Sequence, residues 1–147
     1  MPVARWVAPF TTSVALGATA VSLYLTIVHY TDPDLLVCSD SGTVNCSAVT
    51  SSDQAYLLGI PVALLGLLWC VGMVALCLPV AWRSPARFVH QARIVGAVAG
   101  IGFVLWLIYA ELIIVGAICL WCTVVHVLAF VLFAIVVMTA SDVLAET

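Results

Sequence analysis

Within the stretch AELIIVGAICLWCTVVHVLAFVLF, Ala110 to Phe133, the cysteines Cys119 and Cys122 interrupt an apolar run long enough to cross a bilayer. A second pair, Cys38 and Cys46, brackets the polar segment CSDSGTVNC. Two close-set thiol pairs have two chemistries open to them: thiol–disulfide exchange, or a closed four-thiolate metal site of the zinc type. Blander readings also stand, with Cys38 and Cys46 as a staple across their loop and Cys119 and Cys122 as small apolar packing. Cys70 and Cys77 are seven residues apart on one face of another apolar run, with no acid, base or partner thiol apparent near them. They read as packing, since free cysteine behaves as a small hydrophobe.

The elements that position these thiols follow from composition. The chain has 147 residues, of which 65% are hydrophobic and 7% charged, with a mean hydropathy of +1.28. Soluble domains are roughly 45–50% apolar and 25% charged, so this is the composition of an integral membrane protein. The length suits one domain over residues 1–147. The formal net charge of -3 gives no basis for a nucleic-acid partner.

A helix needs about 20 apolar residues to span the hydrocarbon core. Qualifying runs lie at about residues 7–30 and 57–82, the second interrupted by GIP at Gly59 to Pro61. The first is longer than the roughly 7–15 apolar residues of a signal peptide and reads as a retained anchor. From Ile94 to Met138 the chain is apolar almost without break, too long for one crossing at about 1.5 Å per residue. It must reverse near Glu111 and Gly116, because a mid-membrane carboxylate is unfavourable and glycine weakens a helix. Helices at 94–115 and 118–138 result. The fold expected is an all-α membrane protein, a four-helix transmembrane bundle, with Cys119 and Cys122 in the first turn of the last helix.

Arg83, Arg87 and Arg93 crowd the link at 83–93, and Arg5 precedes the first helix. An excess of arginine marks the cytoplasmic side, so both termini and this link are expected there. The 31–56 loop, with Asp32, Asp34, Asp40 and Asp53, then shares the outer face with the hairpin carrying Cys119. All four thiols fall on the side where disulfides persist. A helix N-terminus stabilises a thiolate, and a hydrophobic quinone can reach one at that depth. These two facts favour redox pairing over metal binding.

Taken together, CSDSGTVNCSAVTSS ending at Ser52, then LLGIPVALLGLLW, then YAELIIVGAICLWC resemble the vitamin K epoxide reductase family over nearly the whole chain. Other quinone-linked disulfide generators of bacteria place their C-x-x-C first; here it comes last. The resemblance implies that Cys38 and Cys46 shuttle electrons from a thioredoxin-like (DsbA-like) partner. Cys46 would exchange with Cys119, and Cys122 would face the quinone, whether menaquinone, ubiquinone or vitamin K quinone. It also implies a bacterial inner-membrane enzyme, and the short stretch after the last helix suggests a separate partner protein. The family's quinone-pocket positions correspond to Ser52, Ala55 and His126. His126 replaces a tyrosine of the vertebrate enzymes and Ala55 their asparagine, which favours a plain quinone over the epoxide.

Several polar residues carry two readings. Ser51 and Gln54 in SSDQ are spaced as a capping box, so the segment reads equally as a helix start and as part of the pocket. His126, one turn beyond Cys122, would either meet a quinone carbonyl or bond a neighbouring helix. Glu111 reads as an interfacial acid able to act electrostatically on the C-x-x-C, and His29 and His90 as ordinary interfacial residues. The long 31–56 loop is expected to dock through LLV before Cys38 and YLL after Ser52, forming a lid over the quinone site.

Overall fold

A computed structural model describes residues 5–32, 35–38 and 41–146, so Asp34 and Asp40 of the loop lie outside the described residues. In chain order come α1 (Val7–Tyr30), α2 (Cys46–Thr50), a 3-10 turn (Asp53–Ala55) and a hairpin of β1 (Tyr56–Leu57) and β2 (Ile60–Pro61). Then follow α3 (Val62–Cys77), α4 (Pro79–Trp82), α5 (Arg87–Tyr109) widening into a π turn (Ala110–Val115), α6 (Leu120–Met138) and α7 (Ala140–Glu146). Three helical runs are long and apolar enough to cross a membrane: Val7–Tyr30, the continuous Arg87–Val115 and Leu120–Met138.

Helix α1 packs chiefly on α3 and α6. Its buried Thr11, Ala15, Ala18, Ser22 and Leu25 recur at steps of four and three, and all but the last are small. Lipid is as apolar as leucine, so helices in a bilayer associate through close approach and interhelical hydrogen bonds, which small residues permit. Thr12 Oγ1 donates to the Cys77 carbonyl at 2.6 Å, and Trp82 Nε1 donates to Thr11 Oγ1 at 3.1 Å. The core centres on Ala15, Met73, Cys77, Ala97, Leu132 and Val136. Cys70 is buried with its sulfur 3.6 Å from Ser22 Oγ.

The helix expected over 57–82 is shortened by proline at both ends. Tyr56 pairs with Pro61 and Leu57 with Ile60, and the intervening Leu58 and Gly59 both have positive φ, as a two-residue hairpin requires. Leu57 and Leu58 of YLL therefore turn outward, Leu58 being 96% exposed, while Tyr56 alone docks, its ring against His29 of α1. At the other end Pro79 excludes Leu78 from helical geometry, leaving it at φ -56°, ψ 146°. The remaining 16 residues of α3 rise only about 24 Å at 1.5 Å each.

The link expected over 83–93 is shorter, since α5 begins at Arg87, and two of its residues are interior. Arg93 is fully buried. Its Nε donates to the Leu76 carbonyl at 2.8 Å, its Nη1 lies 3.1 Å from His90 Nδ1, and its guanidinium stands 3.7 Å over the Trp82 ring. His90, also buried, bonds the Ser84 carbonyl through Nε2 at 2.8 Å. Neither is an interfacial residue. A carbonyl, the His90 ring and an aromatic face hold the guanidinium, although Nη2 is buried without a hydrogen-bond partner among the described residues, and the helix continues through charge that hydropathy treats as its end.

Where α5 widens, Glu111 O accepts from the N–H groups of both Gly116 and Ala117. Gly116, at φ 70°, then turns the chain left-handed, a conformation that glycine adopts without penalty. The reversal falls where Glu111 and Gly116 predicted it. Helix α6 starts at Leu120 with Cys119 as its N-cap, so Cys122 alone of the pair lies inside the first turn.

Candidate active site

The two cysteine pairs are brought to one end of the bundle by backbone hydrogen bonds between the loop and the reversal before α6. Ile118 N–H donates to Thr43 O at 2.9 Å, and Asn45 N–H donates to Ile118 O at 3.1 Å. Cys46 and Cys119 are thus the residues immediately following two backbones bonded to each other. Both are fully buried. Each opens a helix: Asn45 Oδ1 caps α2 by accepting from Ala48 N–H at 2.9 Å, and Cys119 Sγ caps α6 by accepting from Cys122 N–H at 3.3 Å.

Cys38 and Cys46 form a disulfide with Cα atoms 6.1 Å apart, whereas Cys119 and Cys122 are free thiols. The half-buried Cys38 is held by its neighbour: Val37 O accepts from Trp121 Nε1 at 2.8 Å, and Val37 N–H donates to Tyr24 Oη at 3.0 Å. LLV therefore docks through its backbone. A disulfide between Cys38 and Cys46 removes two of the thiolates that a four-thiolate metal site would use.

Cys119 precedes the membrane-spanning part of α6, and its thiol is held below the ordinary value of 9.0. Hydrogen bonding from the Cys122 sulfhydryl is the main cause, joined by the Cys122 amide, and it outweighs burial and the Glu111 carboxylate, which oppose it. Glu111 is buried on the π turn, with Oε2 3.5 Å from the Cys119 N–H that it accepts.

A cavity of about 470 Å³ opens beside this cluster, within the roughly 300–1,000 Å³ of small-molecule sites. Among the described residues Cys122 is the one of the four redox-candidate cysteines on its lining, with Glu111, His126, Ser52, Ala55 and Trp69 also contributing. The chain belongs to the vitamin K epoxide reductase family. The family's model matches residues 9–137, taking in both cysteine pairs and every residue named at the cavity. It is accordingly a membrane oxidoreductase, of a family whose members use quinones as redox partners.

In this family member the pocket positions inferred from sequence converge on one cavity, and the structure separates their readings. Ser51 Oγ and Ser52 Oγ donate to the Ser47 and Val49 carbonyls, each at 2.7 Å. The capping box is not formed, because the preceding helical turn takes both hydroxyls. Ser52, its hydrogen engaged, faces the cavity as an acceptor. Ala55 supplies a methyl. His126 is buried on α6 and makes no hydrogen bond among the described residues, so the expected alternative of a bond to a neighbouring helix is not present.

Sequence reasoning missed His29, Trp69 and Gly100, all on the cavity lining. His29 lines the cavity and its Nε2 lies 3.2 Å from Tyr56 Oη. Trp69, held by donation from Nε1 to Gly96 O at 2.9 Å, forms one wall against Gly100. A Cβ added to Gly100 would collide with the edge of the Trp69 ring. The GIPVALLGLLW stretch of the family resemblance contains this tryptophan, the one signal that pointed to it.

Proposed function

We propose that this enzyme carries electrons from a thioredoxin-like partner through its two cysteine pairs to a membrane quinone seated in the 470 Å³ cavity. The observation that supports this best is the division between the C-x-x-C thiols. Cys122 lines the cavity, while Cys119 follows the residue bonded to Asn45, beside Cys46. One pair thereby faces two exchange partners.

The partner's dithiol reduces Cys38–Cys46 and leaves as a disulfide. A Cys46 thiolate then attacks Cys119 of the Cys119–Cys122 disulfide, releasing Cys122. Cys38 attacks Cys46 in turn and expels Cys119. The lowered Cys119 pKa makes it the better leaving group in this last step. The arrangement present, with Cys38–Cys46 joined and Cys119 and Cys122 free, is the product of that exchange. Oxidation of Cys119 and Cys122 by the quinone completes the cycle: two electrons and two protons go to the quinone, giving quinol and a new Cys119–Cys122 bond.

In this reading α3 is the fourth span. Together α3 and α4 cover Val62–Trp82, which at 1.5 Å per residue approaches the roughly 30 Å core. Both termini are cytoplasmic, the side that the excess of arginine favours, and the cysteine pairs face outward to a separate partner. The segment from Ser47 to Tyr56 acts as a lid over the quinone. Anaerobic turnover with a reduced thioredoxin-like protein and either menaquinone or ubiquinone tests the scheme. Quinol should form with wild type and not with Cys119→Ala or Cys122→Ala, and a Cys46→Ala variant should oxidise no partner. Wild-type quinol formation that survives Cys122→Ala would defeat it.

A further inference from the structure

The proposed quinone step needs protons as well as electrons, and the cavity lining includes a carboxyl whose position suits their delivery. Glu111 lies on the π turn at the end of α5, a distortion that recurs at functional sites. It is buried, reaches the Cys119 amide through Oε2, and lines the same cavity as Cys122. It therefore touches both the backbone of Cys119 and the space in which a quinone would be reduced.

Building on the function proposed above, we propose that Glu111 is the proton donor for quinone reduction. With Cys119 as thiolate, the dithiol holds one proton, on Cys122, whereas quinol formation consumes two. The neutral Glu111 carboxyl supplies the second. Cys119 thiolate, Cys122 thiol, the Glu111 acid and quinone become the Cys119–Cys122 disulfide, quinol and the Glu111 carboxylate, with two electrons and two protons transferred.

The following exchange restores it. When the Cys38 and Cys46 thiols reduce the Cys119–Cys122 disulfide, two sulfur protons enter and one remains on Cys122. The other passes to the Glu111 carboxylate, next to the newly formed Cys119 thiolate. At both stages Cys119 and Glu111 together carry a single negative charge, which a buried site holds with less penalty than two.

The titratable groups around Glu111 are Cys119, whose amide it meets, and Cys122, His126, His29 and Tyr56 on the same cavity lining; α2, which packs on this turn, carries Cys46, which is engaged in the disulfide. On its own helix Tyr109 is exposed. None of these replaces a carboxyl in contact with the Cys119 amide.

The test uses the whole protein in lipid nanodiscs, reduced chemically, with a short-chain naphthoquinone. Quinol formation is followed by stopped flow across pH, and internal exchange by rapid alkylation and mass spectrometry. Glu111→Gln should slow quinol formation on the order of a hundredfold, the usual range for losing a general acid, and flatten its pH profile, with quinone KM retained. Glu111→Asp should keep a pH-dependent rate with a displaced midpoint. A wild-type rate and profile in Glu111→Gln would overturn the assignment; should that variant not fold, an unmoved midpoint in Glu111→Asp would do so. If wild type itself forms no quinol, it is the underlying quinone reading that fails.

Discussion

Replacing Asn45 by alanine should slow electron transfer between the cysteine pairs without touching the quinone step. The Asn45 side chain caps α2, accepting from Ala48 N–H at 2.9 Å and from the Ser47 hydroxyl at 3.1 Å. Its backbone N–H, bonded to Ile118 O, survives the change. Loss of an asparagine N-cap costs about 1 kcal/mol, and α2 is only five residues long, so little else holds its first turn once Cys38–Cys46 is reduced. At about 1.4 kcal/mol per tenfold, the population presenting Cys46 to Cys119 should fall about fivefold. Rapid-quench alkylation after mixing reduced partner with oxidised enzyme, with no quinone present, reads that transfer directly. Asn45→Ser, which keeps a capping hydroxyl, should restore most of the rate. An unchanged rate in Asn45→Ala, or an equal slowing of quinol formation from the prereduced enzyme, would refute the placement of Cys46 by this cap.

Gly100→Ala should displace Trp69 into the cavity and break its bond to Gly96, raising quinone KM about tenfold while exchange between the pairs is preserved; an unaltered KM would show that Trp69 is not a wall of the quinone site. His126→Ala should raise quinone KM with little change in the thermal unfolding midpoint, because the ring makes no hydrogen bond among the described residues; equal KM would remove it from the pocket. In the reduced enzyme, ultraviolet titration should show the Cys119 thiolate forming below pH 9.0, since its pKa is lowered from that value. Cys122→Ala, by deleting the principal hydrogen-bond donor, should move this midpoint upward, and a midpoint that stays put would mean that Cys122 is not its cause.

Much of the architecture was legible because a bilayer leaves a chain few choices. Backbone groups in hydrocarbon must be satisfied within a helix, so the apolar runs at 7–30 and before Met138 had to become helices, and Glu111 with Gly116 marked the reversal between two of them. Element ends were less legible. Pro61 and Pro79 act through local backbone geometry that a hydropathy window averages away. Arg93 was misread as a link residue because hydropathy scores a guanidinium as though it met lipid, whereas this one meets Leu76 O and the Trp82 ring.

The spacing of Cys119 and Cys122 at a helix start, and of Cys38 and Cys46 in a polar loop, by itself determined that paired thiol chemistry was available, since reactivity at a helix N-terminus and proximity within C-x-x-C are local properties. Which thiol meets which neighbour was decided only by tertiary structure. A bridge between Val44 and Ile118 joins the segment leading into Cys46 to the one leading into Cys119, whereas Cys122, in the first turn of α6, lines the cavity. Glu111 likewise reaches the Cys119 amide only because the π turn and the left-handed Gly116 fold the chain back onto it. The loop bridge joins segments far apart in the chain, which no local pattern encodes, and the Glu111 contact, though only eight residues long, depends on backbone geometry that residue types alone do not fix.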